Sequence, residues 1–189
     1  MGKCFLLALL LLAGCGPLKT TVSLGSRAHF PLITQSGSSP IAAVQHFRIE
    51  NRGRVLQFNG FAEIEPERWA IVGLTPMESR GFSVTWDSGE LLFEHLPFYK
   101  LPIKPGHFMA DYQMMFMAED LLRTHLEAAG LELRVEGLLR RIYKGKTEVV
   151  RINYQEQDPM KGKVLLRNLR RNHVVIISTR QIEPLDDEM

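Results

Sequence analysis

The sequence predicts a mainly β (α+β) domain in which one antiparallel sheet curls into an incomplete barrel and a helix forms its lid. Apolar and polar residues alternate through much of residues 41–95 and again through 131–182, as they do in half-buried strands. Between these regions, residues 111–129 carry one broad apolar stripe at helical spacing. Because a sheet of many antiparallel strands tends to curl, one amphipathic helix can plug or cap its concave face.

The N-terminus is typical of a secretory signal peptide. Lys3 supplies one positive charge, and residues 4–13 form an uninterrupted apolar run. A helix of that length covers only about 15 Å, roughly half of a bilayer core, so it is too short to span a membrane. We therefore predict that residues 1–14 are a signal peptide that is removed from the mature chain.

The apolar run ends in the sequence LAGC at residues 12–15, which resembles the lipobox of bacterial lipoproteins. In lipoproteins the lipobox cysteine is acylated and becomes the first mature residue, so the resemblance implies that Cys15 is the site of lipid attachment. Gly16 stands in place of the aspartate that favours inner-membrane retention, which implies a periplasm-facing protein of the outer membrane. The alternative is an ordinary signal peptide that contains Cys15 by coincidence.

Length, charge and cysteine content narrow the class of protein. Removal of the signal from the 189 residues leaves enough chain for one domain with a proper core. Cys15 is then the sole cysteine, which excludes an internal disulfide and a thiolate metal cluster. The formal net charge of +2 does not indicate a nucleic-acid-binding protein, and we expect no metal and no cofactor. We expect a monomer that contacts the membrane through its lipid.

Composition divides the mature chain into a tether, a domain and a tail. Residues 15–40 contain three prolines and the serine-rich stretch SGSSP, which predicts a lipid anchor followed by a flexible tether. The domain is predicted over residues 41–183, and residues 184–189 are predicted to form an acidic tail.

The first half of the domain is predicted to be an antiparallel meander. A glycine turn in NRGR and a hairpin turn at residues 87–89 separate runs in which apolar and polar side chains alternate. The predicted strands are VQHFRIE (44–50), VLQFNGFAEI (55–64), RWAIVGL (68–74) and the hairpin GFSVTWDSGELLF (81–93).

The middle of the domain changes character. Three prolines within residues 96–107 argue against regular structure there. Asp111 is then a suitable N-cap for a helix that runs to Ala129, where Gly130 supplies a C-terminal stop. Strand patterns return in LELRVE (131–136), LLRRIYKGKTEVVRINYQE (138–156), GKVLLRNL (162–169) and HVVIISTRQIE (173–183).

This order of elements resembles the LolB family of outer-membrane lipoproteins, which receive other lipoproteins in an incomplete barrel lidded by helices. Beyond the lipobox, the resemblance covers roughly residues 41–182 and includes the meander, WAIVGLTPMES, the proline-rich crossing and the helix. The segments GLTPMESRGFSVTWDSGEL and ADYQMMFMAEDLLRTHL are more similar to an uncharacterised LolB-like lipoprotein family, often encoded among aryl polyene biosynthesis genes. The resemblance implies that the chain binds an acylated or polyene-tailed molecule and carries or inserts it at the membrane.

The resemblance also nominates functional residues. In the LolB family the turn equivalent to TPMES presents a leucine that takes part in membrane delivery, so Pro76 and Met77 form the implied membrane-insertion loop. The methionine-rich helix suits an adaptable apolar wall, although ordinary core filling would give the same pattern. The predicted hydrophobic groove is lined by Phe47, Ile49, Phe58, Phe82, Val84, Trp86, Met114, Met115, Leu122 and Leu126.

The sequence lacks the common enzyme motifs. It contains no Gly-x-Ser-x-Gly elbow, no P-loop and no His-Glu-x-x-His, so we expect no catalytic residues and no enzyme activity. The six histidines lack ligand spacing, and each is interpreted as a surface or edge residue. The basic segment RNLRRNH (167–173) is interpreted as a solvated hairpin turn, or alternatively as a contact for acidic lipid headgroups or an acidic partner.

Two other functions are consistent with the sequence. A structural or scaffold lipoprotein would have the same fold with its interior filled by side chains. An accessory to a lipid or polyene biosynthetic enzyme complex, such as a hydrolase or acyl-transfer component, would need a reactive serine or histidine facing a pocket. A periplasmic carrier protein is the candidate protein partner.

Overall fold

The computed structural model describes residues 21–37, 39–97 and 99–185. The predicted signal peptide, Cys15 and the last four residues of the predicted tail lie outside the described residues. The two described helices are α1 (Pro105–Phe116) and α2 (Glu119–Ala128). The strands in the described ranges are β1 (Thr21–Gly25), β2 (Ala28–Pro31), β3 (Ile41–Asn51), β4 (Arg54–Ile64), β5 (Arg68–Leu74), β6 (Arg80–Asp87), β7 (Glu90–His95), β8 (Glu132–Glu136), β9 (Leu139–Lys144), β10 (Thr147–Tyr154), β11 (Lys163–Asn168) and β12 (His173–Pro184).

Ten of the described strands form one antiparallel sheet in the order β7-β6-β5-β4-β3-β12-β11-β10-β9-β8. Each half of the sheet is a meander of sequence neighbours, and the pairing of β3 with β12 joins the two halves. The sheet curls without closing into a barrel, with β7 and β8 as its edges in the described part of the chain. The predicted mainly β fold with a curled antiparallel sheet is confirmed.

The core forms because alternate residues of each long strand point to the same face of the sheet. Along β3, Ala43, Phe47 and Ile49 are buried, while the neighbours of Phe47 and Ile49 are partly exposed. Phe47 lies directly opposite Phe58 in the register of β3 and β4, and their stacked rings have centroids 4.7 Å apart. This pairing opposes slippage, because a shift of one residue would turn the apolar set towards solvent.

The helical region differs from the single helix predicted over residues 111–129. Helix α1 already begins at Pro105, since a proline in the first turn lacks only an N–H that would have no partner there. Asp111 is therefore buried in the middle of α1 and is not an N-cap. The chain is extended at Met117 (ψ 144°) and Ala118 (ψ 137°) before α2 begins.

Side chains from the sheet explain where α1 ends. The Tyr154 hydroxyl donates to the carbonyl oxygen of Met115 at 2.8 Å, and Arg140 Nη1 donates to that of Met117 at 3.1 Å. These bonds satisfy carbonyl groups at the end of the helix, which otherwise have no intrahelical donor. Because both donors are distant in sequence, local patterning does not predict the break between the helices.

The prediction of a flexible tether is wrong for residues 21–37, which fold against the core. The hairpin turn at residues 26–27 has positive φ at both positions (51° and 58°), the geometry of a type I′ turn. Proline and serine content indicated a tether, but the alternation of apolar residues decides the structure here. The hairpin buries Val22, Leu24, Ala28 and Phe30.

Helix α1 is an internal element of the domain. Every residue from His107 to Phe116 is buried. The helix contacts β6 and β11 of the sheet, and it also contacts β1 and the segment that follows β2. By contrast, α2 buries Leu122 and Leu126 and exposes much of its remaining surface, as a covering helix does.

Candidate ligand-binding cavity

A cavity of about 720 Å³ lies beside the core, within the roughly 300–1,000 Å³ that is usual for ligand sites. Its walls come from the β1–β2 hairpin with the segment after it, from the turn between β6 and β7, and from the end of α2. The lining residues are Thr21, His29, Pro31, Leu32, Ile33, Thr34, Gln35, Trp86, Ser88, Gly89, His125, Ala128 and Ala129.

The cavity lining changes from apolar and buried to polar and exposed. Leu32, Ile33 and Trp86 are buried apolar lining residues, and together they are named here the cavity floor. His29 and Ser88 are exposed polar lining residues and mark the cavity rim. A site with an apolar floor and a polar rim matches the two halves of an amphiphile.

The segment that carries the cavity floor is held by helix α1. Gln113 Nε2 donates to the Ile33 carbonyl oxygen at 2.7 Å, and the Ile33 N–H donates to Gln113 Oε1 at 2.9 Å. This buried amide therefore pairs with the Ile33 backbone as a neighbouring strand would. A further backbone bond from the Ser36 N–H to the Pro66 carbonyl oxygen (3.0 Å) fixes the end of the segment.

Two buried tryptophans differ in their relation to the cavity. Trp69 and Trp86 are directly paired across β5 and β6, and they are 0% and 2% exposed. The indole Nε1 of each has no hydrogen-bond partner among the described residues. Trp86 lines the cavity, whereas Trp69 is absent from the cavity lining.

The ten residues of the predicted groove are brought together in one apolar core. All ten are buried, and of this set Trp86 is the one that also lines the described cavity. Nine therefore pack against other side chains of the domain, and their role in ligand binding stays a prediction. The lining residues between His29 and Gln35 were not predicted from the sequence, because that segment was assigned to the tether. The alternation of β1 and β2 was the sequence signal that indicated a folded segment.

Pro76 and Met77 lie in the turn between β5 and β6. The Met77 side chain is 90% exposed, and the Thr75 hydroxyl oxygen accepts from the N–H groups of Met77 and Ser79, both at 3.3 Å. This turn leads into β6, and the cavity-lining turn at Ser88 follows the other end of the same strand. The predicted insertion loop and the cavity are thus at opposite ends of β6, and the insertion role stays a prediction.

A polar cluster is buried where α1 begins. His173 Nε2 lies 2.7 Å from Asp111 Oδ2, and both side chains are only 1% exposed. The Arg171 guanidinium donates to the Ser23 carbonyl oxygen at 3.1 Å and to His107 Nε2. The turn between β11 and β12 is present as expected, but His107 and His173 are buried, so their interpretation as surface or edge residues was wrong.

The surroundings of His107 in this cluster lower the pKa of its imidazole. Burial and the positive charge of Arg171 lower the pKa of His107 to about 4. The ring is therefore neutral at neutral pH, and Nε2 accepts from Arg171, which can only donate. The cluster binds β1, α1 and the β11–β12 turn to one another. His107 Nδ1 and Arg171 Nε are buried without a hydrogen-bond partner among the described residues. The bonds that the cluster does make join elements of the protein to one another, which indicates a structural role.

The described residues contain no grouping of three or more histidine, cysteine or acidic side chains that could hold a metal ion. In the same part of the chain, neither helix combines the length and apolar character required to cross a bilayer.

A curled, open antiparallel sheet around an internal helix, with a cavity beside the core, defines a mainly β domain of the incomplete-barrel class. The chain belongs to the family of proteins of unknown function designated DUF3261, whose model matches residues 42–181. The match extends from β3 to β12 and so includes both helices. The β1–β2 hairpin, which supplies part of the cavity wall, lies before the matched region.

Several solved structures resemble this chain at low sequence identity. A LolA superfamily protein from Nitrosomonas europaea is 10% identical, with coverage of 81% of this chain and 89% of that chain and a TM-score of 0.47. A DUF1329 family protein from Desulfovibrio piger is 9% identical, with coverage of 80% and 88% and a TM-score of 0.40. A domain from Vibrio parahaemolyticus named for outer membrane lipoprotein sorting is 9% identical, with coverage of 82% and 89% and a TM-score of 0.44. No curated protein sequence matches the chain.

Proposed function

We propose that this chain is an outer-membrane lipoprotein that binds an acylated or polyene-tailed amphiphile in the cavity and exchanges it with the membrane. The arrangement of the cavity is the observation that carries the proposal. Leu32, Ile33 and Trp86 form a floor on which an apolar chain would lie out of water. His29 and Ser88 stand at the rim, where a polar head would keep contact with solvent.

Burial of apolar surface supplies the binding energy in this proposal. At about 25 cal/mol per Å², covering roughly 200 Å² of an acyl chain is worth about 5 kcal/mol before the costs of association. A bilayer offers a larger apolar environment to the same chain. Release into the membrane therefore requires no chemical step, in agreement with a carrier or insertion role.

The position of the proposed lipid anchor supports exchange with the membrane. Thr21 lines the cavity and lies six residues after Cys15. A chain of that length reaches about 20 Å at most. A lipid on Cys15 would therefore keep the cavity close to the bilayer surface, where the ligand can leave or enter.

Ligand binding is tested with an environment-sensitive apolar dye and the delipidated full-length chain. We expect saturable binding that Leu32→Glu weakens by about tenfold or more, because a carboxylate at the floor must be desolvated or protonated. Leu92→Glu is the matched control, since Leu92 is 49% exposed and is not a lining residue. Absence of saturable binding, or equal weakening by both variants, would contradict the proposal.

Lipid attachment is tested by Cys15→Ser in cells supplied with a clickable fatty acid. We expect complete loss of label and accumulation of the uncleaved precursor, because the thioether requires the cysteine sulfur. Cys4→Ser is the control and should label normally, since residue 4 lies within the proposed signal peptide. Incorporation into the Cys15→Ser variant would exclude the proposed anchor.

A scaffold lipoprotein is the second candidate function. The burial of nine predicted groove residues in the closed core favours it, because those side chains already fill the interior. The dye experiment separates the two candidates, since a scaffold would show no saturable site that depends on Leu32.

A further inference from the structure

We infer that the cavity covers a single hydrocarbon chain, so that the ligand is a single-chain amphiphile and not a lipid or lipoprotein with two or three acyl chains. This inference rests on the proposed function, because it requires that the cavity binds an acylated or polyene-tailed molecule. It deepens that function by stating how many chains the site can cover and therefore which class of acylated molecule it selects.

The volume of the cavity is the first observation. The cavity measures about 720 Å³. A methylene group takes roughly the 30 Å³ that a water molecule takes in the liquid, so one sixteen-carbon chain needs about 480 Å³. Two such chains need about 960 Å³ and three need about 1,440 Å³ by the same measure. One long chain therefore fits, whereas a second chain of that length does not.

The packing of the core is the second observation, because it opposes extension of the cavity inwards. The stacked rings of Phe47 and Phe58 have centroids 4.7 Å apart, and Phe82 meets Phe58 edge-on with a centroid distance of 5.0 Å. Within helix α1, the rings of Tyr112 and Phe116 lie 4.6 Å apart. Aromatic rings in contact already occupy this interior, so a second chain could enter it only by displacing them.

Helix α1 is also held by buried bonds, which oppose its movement away from the sheet. Gln113 pairs with the Ile33 backbone through bonds of 2.7 and 2.9 Å. Two turns of chain are further fixed by the buried contact of 2.7 Å between Asp111 and His173. A movement of α1 that enlarged the cavity would leave these buried polar groups without partners, which is costly.

Another cavity, between the β8–β9 turn and the segment after β10, does not provide room for a further chain. It measures about 150 Å³, and its lining includes the charged residues Glu119 and Arg140. That volume holds only about five methylene groups.

The chemistry of the larger cavity is the third observation. None of its lining residues is a lysine, arginine, aspartate or glutamate. Its buried floor is formed by Leu32, Ile33 and Trp86. The chain of the ligand, and not an ion pair between one of these four residue types and the head group, therefore determines which molecules bind.

The neighbouring bilayer converts this capacity into selectivity. A chain that moves from the bilayer into the cavity exchanges one apolar environment for another, so its transfer costs little. A second chain that the cavity does not cover would instead pass from the bilayer into water. Lipids with two or three long chains therefore stay in the membrane, whereas a single-chain molecule distributes between the membrane and the cavity.

The test measures how three lipopeptides distribute between phosphatidylcholine vesicles and the delipidated full-length chain. The probes share one short fluorescent peptide and carry one, two or three hexadecanoyl chains. Flotation separates vesicles from protein, and equilibrium is approached both from loaded vesicles and from loaded protein. We expect a protein-to-vesicle ratio at least a hundredfold lower for two or three chains than for one, because each methylene left in water changes the ratio by about fourfold.

Variants assign the bound probe to the cavity. Leu32→Glu should lower the ratio for the single-chain probe by about tenfold or more, and the exposed, non-lining control Leu92→Glu should keep it. A ratio for two or three chains within tenfold of the single-chain ratio, with the same dependence on Leu32, would overturn the inference and leave the proposed function intact. Absence of all three probes from the protein fraction would overturn the proposed function itself.

Native mass spectrometry counts the covered chains directly. With the single-chain lipopeptide in excess, we expect the wild type to gain the mass of one lipopeptide and Leu32→Glu to gain none. Binding of two or three lipopeptides to the wild type, all lost in Leu32→Glu, would show that the cavity covers several chains and would contradict the inference.

Discussion

His173→Ala is expected to lower the free energy of unfolding by about 3–5 kcal/mol, because it leaves a buried polar group without its partner and opens a cavity where the imidazole packs. The Asp111 carboxylate is 1% exposed and lies 2.7 Å from His173 Nε2. Without the imidazole, the Asp111 side chain stays buried with no partner for Oδ2, which is unfavourable. Urea unfolding followed by tryptophan fluorescence measures the change.

Asp111→Asn separates the charge from the hydrogen bond. The asparagine side chain retains an acceptor oxygen for the His173 ring, so we expect a smaller loss of about 1–2 kcal/mol. Arg134→Ala is the surface control, because its ion pair with Glu132 joins two half-exposed side chains and should matter little. A loss in His173→Ala that does not exceed the loss in Arg134→Ala would show that the buried pair is not important for stability.

Gln113→Leu is expected to cost about 2–4 kcal/mol and to weaken dye binding in the cavity. The substitution leaves the N–H and carbonyl oxygen of Ile33 without their shared partner in a buried position, and each unsatisfied buried group costs about 1–3 kcal/mol. The segment that carries Leu32 and Ile33 should then separate from α1. Urea unfolding and limited proteolysis between residues 32 and 37 report the two effects.

Gln181→Leu is the matched control for that substitution. Gln181 is an exposed glutamine of β12 whose amide bonds to Glu183 and not to buried backbone. We expect it to leave stability, cleavage and dye binding almost unchanged. If Gln113→Leu lost stability without loss of dye binding, the cavity would not depend on the fixed position of the floor segment.

The sheet could be predicted because its signal is local. The alternation around Phe47 and Phe58 determines which residues face the core, and glycine-containing turns such as that at 87–89 separate the strands. The central pairing of β3 with β12 joins the two ends of the domain. Two meanders that share one core must be joined by a pairing of this kind. No short segment of sequence, however, specifies that β3 pairs with β12.

The site was harder to predict for two reasons. Its key contacts join residues that are distant in sequence, and in one segment the composition and the apolar pattern favour different structures. Asp111 and His173 lie 62 positions apart, and Gln113 and Ile33 lie 80 positions apart, so neither pair has a sequence motif. In residues 21–37, proline and serine content favoured a tether, whereas burial of Val22 and Phe30 stabilises a hairpin. The break after α1 likewise depends on donors from Arg140 and Tyr154 in the distant sheet.

The two ends of strand β6 are named here the Met77 pole and the cavity pole. Its eight residues extend about 25 Å, with the Met77 turn before it and the cavity-lining Ser88 after it. Under the proposed anchoring, Cys15 lies within about 20 Å of Thr21 at the cavity pole. A domain standing upright on its lipid presents the cavity to the bilayer and holds Met77 far from it, whereas a domain lying on its side brings both to the surface. Under this proposal, the tilt of the domain on the bilayer, and not the opening of a helix, determines which pole contacts the bilayer surface.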